Sequence, residues 1–189
     1  GNLWEDRDID VDHKTTEWTP QHDLYSDRES FIIGLEHQRN LIKSLSSEIP
    51  VDVIYIPGNH DTIRLQALSD AMHLYFSWTN NVHVDREPMS RKYMRRGNTT
   101  IGRQHGDGIK NKQIPLTMMQ ETRIGKHNYM YQWHVHQKKK EEFGNIIIET
   151  LGSPAFASDW ESSNWRTQRG KLEWQLFDKN KWKIAEFIQ

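Results

Sequence analysis

Apolar residues change rhythm several times along this chain, and each rhythm predicts an element. Residues 1–25, "GNLWEDRDIDVDHKTTEWTPQHDLY", have no period and are mostly polar, so a long loop is expected there. Loops of that length are usually functional or disordered. Ser26 and Glu29 then stand at capping-box spacing. Phe31, Ile32, Leu35, Ile42 and Leu45 follow at helical spacing, which predicts a helix ending before Pro50. The β-branched run "VDVIYI" (51–56) predicts a buried strand closed by Gly58. "TIRLQALSDAMHLYF" (62–76) reads as a second helix and "NVHVD" (81–85) as a short strand.

Beyond residue 90 the period-2 pattern takes over. Residues 91–105 read as two strands around the turn signal Gly97-Asn98. Residues 112–121 suit a short helix with Pro115 in its first turn. Strands are predicted at 128–136 and 145–150, and "KLEWQLF" and "KWKIAEFI" flank Asp178-Lys179-Asn180 as a hairpin. "SDWESSNW" (158–165), with Asp159, Trp160 and Trp165, reads as packing over a sheet edge. No repeat or linker interrupts the chain. Helices alternating with strands early, and strands dominating late, predict one layered α/β domain over 1–189 with a mixed sheet.

Composition narrows the chemistry. A chain of 189 residues can bury a real core. Its 25 basic and 26 acidic residues argue against a strongly basic nucleic-acid protein. They leave room for a local patch, from Arg91, Lys92, Arg95, Arg96 and Arg103 and from Lys138, Lys139 and Lys140, although a solvated face is the commoner fate of such groups. With no cysteine, thiolate zinc and disulfides are excluded, and a reducing cytoplasmic setting is compatible. Any metal must be held by imidazole, carboxylate or amide, and there are ten histidines to draw on. The eight tryptophans are expected mostly in core or edge packing. No apolar run approaches the roughly 20 residues of a membrane span, so no membrane partner is expected. The sequence opens with Gly1, as a processed, truncated or incomplete chain would.

Three short strings carry the candidate chemistry. In "IPGNHD" (56–61) a strand ends at a glycine and hands over to Asn59, His60 and Asp61. Sites in layered α/β folds lie at such carboxyl ends. Asn59 can offer an amide oxygen to a cation, and His60 can face a substrate with Asp61 holding its second N–H. A polar turn bonding its own backbone is the plain alternative. In "RQHGDG" (103–108) His105 ends a strand; in "QWHVHQ" (132–137) His134 and His136 share a face or a fraying end. Structural histidines and an edge-strand face are the plain alternatives there.

Taken in order, Gly-Asn-His-Asp, a strand-end His and His-x-His resemble the calcineurin-like metallophosphoesterases over residues 58–136. The resemblance implies a layered αββα sandwich with mixed sheets, here without its N-terminal strand. It implies Asn59, His105 and His134 as ligands of one metal, and His136 as a ligand of a second. It makes His60 the leaving-group residue, oriented by Asp61. Departures accompany it. Trp133 replaces the Gly that precedes His134. "GNLWED" is similar to a Gly-Asp-Leu-Phe motif, which puts Asn2 where a bridging Asp belongs. Asp-x-His is absent from these residues. "TTEWTPQHD" (15–23) and "HGDG" are similar to phage and prophage members related to DNA-repair exonucleases.

The implied cofactors are two divalent ions in the complete protein; manganese, iron and zinc suit the nitrogen and oxygen donors, with manganese favoured. The implied reaction is hydrolysis of a phosphate ester, a diester in preference, with DNA among the candidate substrates. The competing readings are a phosphomonoesterase or protein phosphatase, and an inactive binding module. The oligomeric state stays open.

Overall fold

The computed structural model describes residues 27–59, 61–135, 137–152, 173–178 and 183–188. Described residues up to Met89 form one compact unit, and those from Ser90 onward form another.

The first unit contains helix α1 (Asp27–Ser46), strand β1 (Val51–Ile54), helix α2 (Thr62–Phe76) and strand β2 (Val82–Asp85). The strands run parallel, with Val51 opposite Val82 and Ile54 opposite Asp85. Parallel neighbours need a crossover of a dozen or more residues, and α2 supplies it. Leu65, Leu68, Met72 and Phe76 fall on one face of α2 and are buried with Ile42, Tyr55 and Val84, while Phe31 and Leu35 of α1 pack against them. α1 ends well before Pro50. The hydroxyls of Ser46 and Ser47 donate back to the carbonyls of Lys43 and Ser44 and satisfy acceptors the helix end leaves open. The cap expected at Ser26 lies outside the described residues. β1 stops at Ile54, two residues before its expected end. Tyr55 beyond it is buried and donates its hydroxyl to Gln38 at 2.9 Å.

The second unit is built on a five-stranded sheet in the order β3-β4-β5-β7-β6. Its members are β3 (Arg91–Arg96), β4 (Thr99–Gln104), β5 (His127–Gln132), β6 (Lys139–Phe143) and β7 (Ile146–Thr150). The three inner strands are parallel and both outer pairs antiparallel, so the sheet is mixed. Gly97 (φ 57°) and Gly144 (φ 60°) turn the two hairpins in the left-handed region that favours glycine. Between β4 and β5 a 3-10 turn (Asn111–Gln113) leads into helix α3 (Ile114–Glu121).

Alternation along the strands separates two cores. Met130, Ile146 and Ile148 meet Ile114 and Met118 of α3 on one face. Ile101, Tyr129, Tyr131 and Ile147 line the other, with Phe177 against them. Phe177 belongs to β8 (Glu173–Phe177), paired antiparallel with β9 (Lys183–Ile188) in the expected C-terminal hairpin. The chain is therefore an α/β protein with mixed sheets, as its pattern predicts.

Some expectations need correction. β5 ends at Gln132, short of the expected residue 136, so His134 lies beyond the strand, at the fraying end that is the alternative to a shared face. Lys139–Phe143, where no strand is expected, is an edge strand that carries Lys139 and Lys140 of the candidate basic group. Of the tryptophans, expected mostly in packing, Trp133 packs against the second of these cores while Trp78 is 92% exposed. The segment 158–165 lies outside the described residues. Among the described residues, no helix is long and apolar enough to cross a membrane.

Candidate metal centre

The string at 56–61 forms the passage from β1 into α2. Asp61 precedes the first helical residue and is fully buried. Its carboxylate accepts the Gly58 N–H at 2.8 Å, and its carbonyl accepts the Leu65 N–H at 2.8 Å. Thr62 donates its hydroxyl to the Gly58 carbonyl at 2.8 Å. Gly58 is thus gripped through both backbone polar groups, which sets the turn that presents the exposed Asn59. One Asp61 oxygen therefore shapes the backbone, a role the sequence reading gave only to the plain polar turn. His60, expected as its partner, lies outside the described residues, as do Asn2 and His136.

His105 and His134 do come together. β4 and β5 run parallel with Arg103 opposite Tyr131, which carries Gln104 and Gln132 to the same level and releases both chains side by side. The His105 carbonyl accepts the N–H groups of both Trp133 and His134 at 2.9 Å, joining the two exits. His105 is buried and His134 exposed. Nδ1 of His134 stands 3.1 Å from Nε2 of His105, with the rings inclined at 70°. One ring can donate its N–H to the other, or both lone pairs can face one cation. Nitrogens about 2.0–2.1 Å from a shared ion lie about 2.8–3.0 Å apart at right angles and about 3.3–3.4 Å apart at tetrahedral angles, and the observed separation falls between the two, within reach of a chelating pair. Asn59 belongs to the other compact unit. Among the described residues, no group of three or more His, Asp or Glu side chains is arranged to hold a metal ion.

Sequence reasoning missed what supports this pair. Gln104 and Gln132, both buried, precede the histidines on the α3 face of the sheet. Gln104 donates its amide N–H to Gln132 Oε1 at 3.0 Å. Gln132 donates to Asn111 Oδ1 at 2.9 Å and to Thr150 Oγ1 at 3.0 Å. Asn111 donates in turn to Glu141, and that bond, with help from Lys139, holds the Glu141 carboxyl below its ordinary range. The available signal was polar residues closing an otherwise apolar strand face, after Met130 on β5 and Ile148 on β7.

No family profile matches this sequence, and neither does any curated protein. One solved structure is similar in part: a double mutant of Vps29 from Entamoeba histolytica, at 14% identity and a TM-score of 0.41. The match covers 72% of this chain and 73% of that one. Likeness of that degree leaves the family of this chain open.

Several basic residues on the second unit are engaged with carboxylates. Arg91 forms a two-armed pair with Glu121, which also accepts the Tyr93 hydroxyl at 2.7 Å. Lys139 pairs with Glu141 and Lys140 with Glu142 along β6. Lys138 bonds Glu173 and Glu186 of the C-terminal hairpin, and Lys183 bonds Glu149 of β7 and Glu186. Burial disfavours the Lys183 ammonium, but Glu149 and Glu186 outweigh that and raise its pKa.

Proposed function

We infer that this chain is a metal-dependent phosphoesterase of the calcineurin-like type, acting on phosphodiesters in preference to monoesters. The observation that carries the reading is the 3.1 Å approach of two imidazole nitrogens at the exits of adjacent parallel strands. Motif order adds to it: a Gly-Asn-His-Asp turn, a strand-end His and a His-x-His follow one another as in that family. The phage-like strings suggest a setting and no substrate.

On this reading His105 and His134 would hold one divalent ion, and the motif order alone would name Asn59, His136 and Asn2 as further ligands. Manganese is the favoured ion. Bound ions would supply Lewis acidity and an acidified water. His60, protonated, donates to the leaving oxygen as general acid. Asp61, through Gly58, fixes the turn that presents Asn59. Because Asn2 brings no negative charge, one ion binds more tightly than the second. An inactive binding module is the second reading, and that same Asn2 favours it.

Titration of the apo chain with Mn2+, followed by assay on bis-p-nitrophenyl phosphate and p-nitrophenyl phosphate, tests the proposal. The expected result is one tight site, diester hydrolysis that needs the metal, and loss of both in His105→Ala and His134→Ala. Tight binding without turnover of either ester selects the binding module. No binding removes the enzyme reading and leaves the binding module.

A further inference from the structure

We propose that Gln132 is a positioning residue, whose amide locks the strand exits so that His105 and His134 face each other at chelating distance. The inference rests on the metal-site reading above and adds a residue that the motif resemblance does not contain.

Gln132 is buried at the end of β5, one residue before the chain turns away toward His134. Three elements converge on its one amide group. Gln104, at the end of β4 and next to His105, donates to its oxygen. Thr150, opposite it at the end of β7, accepts from its nitrogen. So does Asn111, at the head of the turn into α3. The oxygen accepts and both amide hydrogens donate, so the orientation of the group is determined.

The same side chain packs on the turn that follows His105. Gly106 has φ +111°, and a Cβ built there would lie 3.1 Å from Gln132 Cβ and 3.2 Å from its Oε1. The Gln132 side chain thus fills the space beside the Gly106 backbone. His105 is held between two Gln132 contacts: the Gln104 bond on its N-terminal side and the Gly106 turn on its C-terminal side. His134 is set from the same origin, because its backbone leaves β5 two residues after Gln132 and bonds the His105 carbonyl. Side chains that orient ligands in this way commonly change metal affinity 10–100-fold when removed.

The test compares Gln132→Met, which keeps length and loses the amide, with Asn111→Ala, which removes one anchor from a half-buried site. Co2+ is titrated into the full chain, its visible spectrum is recorded, and the ring 15N shifts of His105 and His134 are measured without metal. Expected are a 10-fold or greater loss of Co2+ affinity in Gln132→Met, a changed Co2+ spectrum, and ring shifts that move in the metal-free protein. Asn111→Ala is expected to move the same readouts several-fold less. If both variants bind Co2+ and keep the ring shifts as the parent does, the positioning role is overturned. If Gln132→Met does not fold, Asn111→Ala decides alone. His105→Ala separates the two layers: unchanged Co2+ binding there overturns the metal site and this inference together, whereas lost binding there with an unaffected Gln132→Met overturns only the inference.

Discussion

Gly125 has no room for a side chain. A Cβ built there would lie 2.3 Å from the Asn98 carbonyl oxygen, which also accepts the His127 N–H. Asn128 cradles the same residue, accepting the Gly125 N–H at 2.7 Å and donating to its carbonyl at 3.0 Å. Gly125→Ala is expected to destabilise by about 1–3 kcal/mol, because backbone must move to admit the methyl. Gly108, with nothing near its added Cβ, is expected to accept Ala within about 0.5 kcal/mol. Urea midpoints of the two variants check this; equal midpoints would mean that the Asn98 turn yields easily. At this scale the histidines were legible, since His105 and His134 each follow a β-rich run. Gln104, Gln132, Asn111 and Thr150 were not. A glutamine at a strand end has no spacing signature, and its role arises only when parallel pairing lays two such ends together.

The C-terminal hairpin is fastened by ion pairs as well as by Phe177. Its inward groups include Lys183 on Glu149, Glu186 between Lys138 and Lys183, and Glu173 on Lys138, with Gln175 near Glu149. Lys138, then Lys183, depress Glu186 to a pKa of about 2, from an ordinary value of 4.5. A depressed carboxyl stabilises the native state fully above its unfolded pKa, and that contribution fades as pH falls through the folded value. Hairpin attachment is therefore expected to hold near neutrality and weaken between about pH 4.5 and 2. Amide hydrogen exchange of β8 and β9 at stepped pH checks this. Exchange that accelerates no more there than in β5 would assign the fastening to Phe177 and its contacts with Tyr129 and Tyr131. Elements with a clear apolar period were legible; β6 was not. "KKEEF" has no apolar alternation because an edge strand needs charge where an inner strand needs valine or isoleucine.

For the molecule as a whole, the sequence pattern led to an α/β protein with a mixed sheet. It did not reveal that residues beyond Met89 form a compact unit of their own, because no change in composition marks that point. The pairing of Arg91, Lys138, Lys139 and Lys140 with carboxylates bears on nucleic-acid binding. Duplex DNA is expected to bind weakly, with log affinity falling against log salt at a slope no steeper than about −2. Fluorescence anisotropy from about 50 to 200 mM salt measures it. A slope near about −5 would mean that these pairs open to take phosphate.

The strands that bound the five-stranded sheet also bear on how copies of the chain behave in a crowded solution. A net charge of −1 gives almost no long-range repulsion between molecules. Unpaired strand edges are where neutral proteins stick to one another. Arg95 and Arg96 mark one border, and Lys139, Lys140, Glu141 and Glu142 the other. A second copy seeking to extend the sheet must first strip water from those groups. Short-range hydration at the borders thus gives colloidal protection that overall charge does not, and it leaves the rest of the surface free to be electrically neutral.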